Sequence, residues 1–172
     1  MLRFDRLLQV VHGAPPAGTL LDVGCGYGAL LDTIRQRGLD LDYRGFDICH
    51  EMVAAARTRH GTDPRAAFTT DPAALRPASY AVASGIFNVK LHHDAADWHD
   101  YVWTAIGSLD AAGSHGFAFN MLSTYSDPER RRDTLYYADP LEVFDRCKRQ
   151  FSPLVALLHD YPLFEFTIVV RK

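Results

Sequence analysis

At 172 residues, with 48% hydrophobic and 23% charged side chains, the chain has the length and balance of a globular domain with a full core, not of a disordered protein. A formal charge of −3 argues against the broad basic face that nucleic-acid backbones require, and no apolar run approaches the ~20 residues that cross a bilayer. Cys25, Cys49 and Cys147 are odd in number and unpaired in spacing, so neither a disulfide framework nor a bound metal is expected.

Phe4, Leu7, Leu8 and Val11 have the i, i+3, i+4, i+7 spacing of an amphipathic helix, which His12-Gly13-Ala14-Pro15-Pro16 stops. Charges at Arg3, Asp5 and Arg6 break the N-terminal apolar residues too often for a signal peptide, and a cytoplasmic location is the expectation. A first strand over 19–23 leads to a helix over 29–37 that buries Leu30, Leu31 and Ile34. A second strand over 43–46 ends at Asp47, and the next helix carries Cys49, Met52, Val53 and Ala56 on one face. A third strand over 65–69 ends near Asp71-Pro72, and a fourth, rich in small apolar residues, runs over 80–86.

Trp98, Tyr101, Val102, Ala105, Ile106 and Leu109 then trace a helical stripe, followed by a fifth strand over 116–121. A polar stretch over 123–139 precedes a short helix over 141–147 and two strands over 154–158 and 164–170. Alternation of strand and helix implies an α/β, doubly wound sheet of seven strands, mostly parallel. The short link around Asp160-Tyr161-Pro162 can join only an antiparallel pair, so the last strand runs against the rest. The expected organisation is one domain over 1–172, with a short helical segment at 1–16 and a substrate or lid segment at 121–140.

The chemistry begins in Leu20-Leu21-Asp22-Val23-Gly24-Cys25-Gly26-Tyr27-Gly28. An apolar strand ends in an acid and breaks into alternating glycines before a helix. That turn brings backbone N–H groups and a helix N-terminus close to a nucleotide-like ligand. Two readings fit. Gly24-x-Gly26-x-x-Ala29, with Asp47 roughly 20 residues on, has the form of a dinucleotide fingerprint. Asp22-x-Gly24-x-Gly26-x-Gly28 resembles motif I of the class I S-adenosylmethionine-dependent methyltransferases.

Three later positions and the reversed final strand strengthen the second resemblance. Asp47 closes the second strand in Gly45-Phe46-Asp47-Ile48, where the family places its ribose-binding carboxylate. Asp71, before Pro72, resembles the acid that takes the adenine amino group. Ala83-Ser84-Gly85-Ile86-Phe87-Asn88 resembles the family's fourth motif, beside the methionine end of the cofactor. The resemblance implies a Rossmann-like fold, S-adenosyl-L-methionine as cofactor, and a cofactor site built from Asp22, Gly24, Cys25, Gly26, Asp47, Ile48, Asp71, Pro72, Ser84, Gly85 and Ile86. It also implies that Asp22 accepts from the amino group of the methionine moiety, and that Ile48 and Ile86 flank the adenine. Cys25 reads as a small packing residue rather than a nucleophile.

Two departures stand out. The acid that commonly opens strand four is missing near Tyr80-Ala81, and few residues precede the first strand to build a lid over the cofactor. Closure is then expected from the first helix, the segment after strand four, the 123–139 loop or a partner, a second copy included. A base is needed only where the acceptor must lose a proton, and His92 and His93 are the candidates because imidazole titrates near neutrality. Asn88, Tyr125, Tyr136 and Tyr137 are candidates for an acceptor pocket. The expected activity is methyl transfer to a small molecule. The rivals are a nicotinamide-dependent oxidoreductase and a cofactor-binding subunit without turnover, and neither nucleic acid nor membrane is expected as a partner.

Overall fold

The computed structural model describes residues 2–11 and 17–172. The helix-stopping run at 12–16 lies outside them. Strands β1 (Gly18–Val23), β2 (Leu41–Phe46), β3 (Ala66–Thr69), β4 (Ala78–Ala83), β5 (Gly113–Ser123), β6 (Tyr137–Ala138), β7 (Leu154–Leu158) and β8 (Glu165–Arg171) form one sheet. Its continuous path is β3-β2-β1-β4-β5-β8-β7, and the two-residue β6 pairs with the end of β5. The path has the seven expected strands. Only β8 runs against its neighbours, pairing antiparallel with β5 and β7.

The helices are α1 (Leu2–Leu7), continued by a 3-10 turn over Leu8–Val11, α2 (Ala29–Gln36), α3 (His50–His60), α4 (Ala95–Ala112) and α5 (Pro140–Gln150). Two cores sandwich the sheet. On one face, Leu7, Leu8 and Val10 join Leu30, Leu31 and Ile34 of α2 and Val53 and Ala56 of α3. On the other, α4 contributes Val102, Trp103, Ile106 and Leu109, and α5 contributes Val143 and Cys147. Each large apolar side chain buried this way stabilises the fold by about 1.5–3 kcal/mol before ordering costs are subtracted. Among the described residues no helix is long and apolar enough to cross a membrane.

Within the parallel part the alternation is broken early. Between β3 and β4 there is no helix, only a 3-10 turn over Pro72–Ala74 and an extended stretch to Pro77. Two prolines so close together leave too few residues with free N–H groups for an α-helix to nucleate. The crossover nevertheless runs on the α4 face, because Leu75 packs into the α4–α5 core. Beside it an apolar groove of about 500 Å³ opens along Leu21, Leu75, Ala105 and Leu109. The polar alternation of β2 suits this open face: Leu41 and Tyr43 are buried, while Asp42 is exposed and Arg44 half-buried.

Strand β4 also ends earlier than its apolar run, at Ala83 rather than Ile86. Gly85 takes φ +78°, which turns the chain across the carboxyl edge of the sheet.

Candidate active site

The glycine loop is held by the neighbouring strand. Gly24 N and Cys25 N both donate to Phe46 O, at 2.8 and 3.0 Å. Gly24 has φ +77°, and a Cβ there would lie 2.2 Å from Ile86 Cγ2. Any side chain at this position would drive the loop away from the β4 turn. Asp47, just past β2, then locks the loop to the start of α3. Its Oδ2 accepts from Gly26 N at 2.8 Å and its Oδ1 from Cys49 N at 2.9 Å. Each oxygen keeps a further lone pair for a ligand hydroxyl.

These residues wall a cavity of about 440 Å³ at the carboxyl ends of β1, β2 and β4. Gly24, Asp47 and Ile48 line it on one side, and Ser84, Gly85 and Ile86 on the other. Trp98 and Tyr101, from the first turns of α4, complete the wall. Sequence reasoning placed these two aromatics only in a core stripe. Their position in the first turns of the helix after β4, at the edge where ligands of such sheets bind, was the available signal.

Asp22 lies beneath the loop, 2% exposed, and does not line the cavity. Tyr43 Oη donates to its Oδ2 at 2.6 Å, and its Oδ1 is buried without a partner. Burial is the main cause that pushes this carboxyl up to about 7; Tyr43 opposes the shift and the charge on Asp47 adds to it. Cys25 is buried against Gly45, and burial, then Asp22 and Asp47, push its thiol up to about 12. It therefore stays protonated and packs.

The remaining candidates are more dispersed. Asp71 is exposed after β3 and caps the 3-10 turn, its Oδ1 accepting from Ala73 N at 2.8 Å, with Pro72 exposed beside it. Asn88 ties two segments together: its Oδ1 accepts from Leu122 N at 3.1 Å and its carbonyl from Tyr136 N at 2.9 Å. His92 and His93 are exposed in the turn before α4. The His93 ring stacks on Trp98 with centroids 5.9 Å apart, which puts it one ring away from the cavity. Tyr125 is exposed, its ring 5.9 Å from that of His159. Tyr136 and Tyr137 line a different cavity of about 200 Å³, with His99 and Trp103 of α4 and Val143 of α5. The structure thus brings together the glycine loop, Asp47, Ile48 and residues 84–86, but not the tyrosines.

Comparisons with known proteins show the family and the fold. A family model described as "Methyltransferase domain" matches residues 20–113, from β1 to the start of β5. The Mycobacterium tuberculosis protein named "Putative methyltransferase Rv1506c" is 48% identical over 165 residues, 96% of this chain and 99% of that protein. The chain is a class I S-adenosylmethionine-dependent methyltransferase by family.

Solved methyltransferases share its fold. The methyltransferase domain of bacterial CtHen1 superposes with a TM-score of 0.70 at 14% identity, over 98% of this chain and 96% of that domain. DhpI, solved as a complex with S-adenosylhomocysteine, superposes with a TM-score of 0.63 at 18% identity, over 99% and 84%.

The methyltransferase site fits the family's cofactor, S-adenosylmethionine. A Cβ at Gly24 would spoil the cradle, Asp47 is oriented by two backbone amides, and Asp22 holds an unpaired buried oxygen under the loop. The cavity volume lies within the range of small-molecule and cofactor sites.

Proposed function

We propose that this methyltransferase passes the methyl group of S-adenosylmethionine to a small-molecule acceptor by in-line displacement. The observation that carries the reading is the Asp47 carboxylate fixed between the Gly26 and Cys49 amides at the edge of the 440 Å³ cavity. When bound, the cofactor supplies a methyl group on a sulfonium, already activated for displacement.

The protein's part is to bind, align and exclude water. Asp47, oriented by the Gly26 and Cys49 amides, would accept from the ribose hydroxyls of the cofactor in charge-assisted hydrogen bonds. Ile48, 84% exposed at the rim, and Ile86 offer apolar faces to the adenine, with Trp98 behind them. Asp71 stands beyond β3 to accept from the adenine amino group. Asp22, whose Oδ1 is buried without a partner, would have the cost of its burial offset by the ammonium of the methionine moiety. The Ser84–Ile86 turn forms the wall beside the methionine end. His93, stacked on Trp98, is the better placed of the two histidines to take a proton from an acceptor that must lose one.

The small acceptor is supported by the concave site and the chain's −3 charge, since an RNA acceptor calls for a basic track. The fold is shared with a chain of the Pnkp1/Rnl/Hen1 RNA repair complex, which makes RNA the rival acceptor to test. Two measurements decide. Calorimetry with S-adenosylhomocysteine should show binding that Asp47→Ala abolishes; absence of binding by the native protein would sink the cofactor reading. Methyl-labelled cofactor, incubated with fractionated cell extract, should label the metabolite fraction; label confined to RNA or protein would overturn the acceptor class.

A further inference from the structure

A chain of polar contacts runs from the first helix to the floor of the cavity through three residues outside every motif above. Asn120, in β5, is fully buried, and its Oδ1 accepts from Gly85 N at 2.8 Å. That contact fixes the orientation of its amide, whose Nδ2 then lies 3.5 Å from both Ser84 Oγ and Glu165 Oε1. Glu165 opens β8 and is 2% exposed, beside Asn120 because β5 and β8 pair antiparallel. Its Oε2 meets Arg3 NH2 of α1 at 3.0 Å. Arg3 NH1 is also the heavy atom nearest to where a Cβ on Gly85 would stand, at 3.7 Å.

A buried carboxylate and a buried carboxamide in the middle of an apolar sheet are costly unless each is fully engaged. Phe119, Met121, Phe166 and Ile168 point into the α4–α5 core on the opposite face, so Asn120 and Glu165 lie on the α1 face, in line with the apolar Ala118 and Val169. What they do engage is the Ser84-Gly85 turn of the cavity wall, which lies past the end of β4. Gly85 sits at φ +78°, and its amide has Asn120 as its anchor.

We propose that Asn120 and Glu165 are positioning residues for the methyl-transfer wall, and that Arg3 makes α1 part of the active site by holding Glu165. This rests on the reading of Ser84–Ile86 as the wall beside the methionine end of the cofactor. Arg3 holds the charge of Glu165, Glu165 holds the Asn120 amide, and Asn120 holds the Gly85 N–H in the wall that would face the cofactor. Docking of the first helix is thereby coupled to the geometry of the methyl donor, although α1 does not line the cavity.

The test uses the full chain and two readouts: the amide resonance of Gly85 without ligand, and the affinity for S-adenosylhomocysteine by calorimetry. Arg3 lies on the surface of α1, so Arg3→Met leaves the core intact while stranding a buried carboxylate. It should shift the Gly85 resonance, leave that of Leu20 in β1 unmoved, and weaken binding by about tenfold. Adding Glu165→Gln removes the stranded charge, and the Arg3→Met/Glu165→Gln pair should recover both resonance and affinity. Asn120→Leu should shift Gly85 whatever stands at position 3. A Gly85 resonance unchanged by Arg3→Met, or a double variant no better than the single one, overturns the proposal. If the native protein binds no S-adenosylhomocysteine, the cofactor reading fails, and the Gly85 resonance still decides the polar chain by itself.

Discussion

The two halves of the sheet are built to different thicknesses. From β4 to β8 the sheet carries α4 and α5 on one face, and Tyr80, Val82, Ala118 and Val169 join the opposite core. At β2 and β3 only the α1–α3 side is covered; the opposite face shows Asp42, Arg44 and Ala67 beside the short crossover. The cavity sits on the seam, taking Asp47 and Ile48 from the thin half and Ser84, Ile86 and Trp98 from the thick one. A ligand there joins a firmly packed wall to a lightly packed one. Local opening free energies follow buried contacts, so the thin half supplies motion and the thick half supplies reference.

The largest test of this contrast is a core truncation against a surface change. Phe119→Ala removes a fully buried ring that meets Phe87 edge-on at 5.7 Å, and should cost about 3–5 kcal/mol in urea unfolding. Ala67→Glu, on the exposed face of β3, should stay within about 0.5 kcal/mol. Comparable losses from both would show that the bare face is covered in solution.

Next in size is the buried acid at the seam. The unfolded Asp22 carboxyl titrates near 3.8 and the folded one near about 7, so folding takes up a proton between those values. Its contribution therefore falls as pH rises through that window and is flat above it. Asp22→Asn, which keeps an oxygen for Tyr43 Oη, should stabilise the ligand-free protein by about 2–4 kcal/mol at about pH 8 and flatten the pH profile. Because an ammonium favours the ionised acid, native binding of S-adenosylhomocysteine should strengthen as pH rises toward 7, and the variant should lose that slope.

The smallest effect is kinetic. Amides of β3 should exchange through local opening, those of Phe117–Phe119 and Phe166–Ile168 only through global unfolding, as native-state hydrogen exchange reads directly. Equal protection in both groups would erase the distinction.

The seam was more legible in the sequence than either half. Asp22, the glycines and Asp47 are signalled by short-range patterns, an apolar strand meeting a turn, and their roles depend on one parallel register, Asp22 opposite Gly45. The lack of a helix between the third and fourth strands was also written locally, in Asp71-Pro72 and Arg76-Pro77. The tyrosines at 136 and 137 follow a segment tied to the cavity side, since Val89 pairs with Leu135, while their side chains line the smaller cavity with His99 and Trp103. Asn120 and Glu165 carry no local signal at all. Their meeting depends on the pairing of β5 with β8, 45 residues apart in sequence.

The short crossover between β3 and β4 leaves the protein open to enlargement. Pro72, Ala73, Arg76 and Pro77 are exposed, and the groove beside them is already lined by Leu21, Leu75 and Leu109. An amphipathic helix spliced in at Arg76 would find its apolar floor waiting and would leave every strand register untouched. The same graft would roof the seam from the thin side, turning an open cavity into a deeper one without altering a residue that lines it.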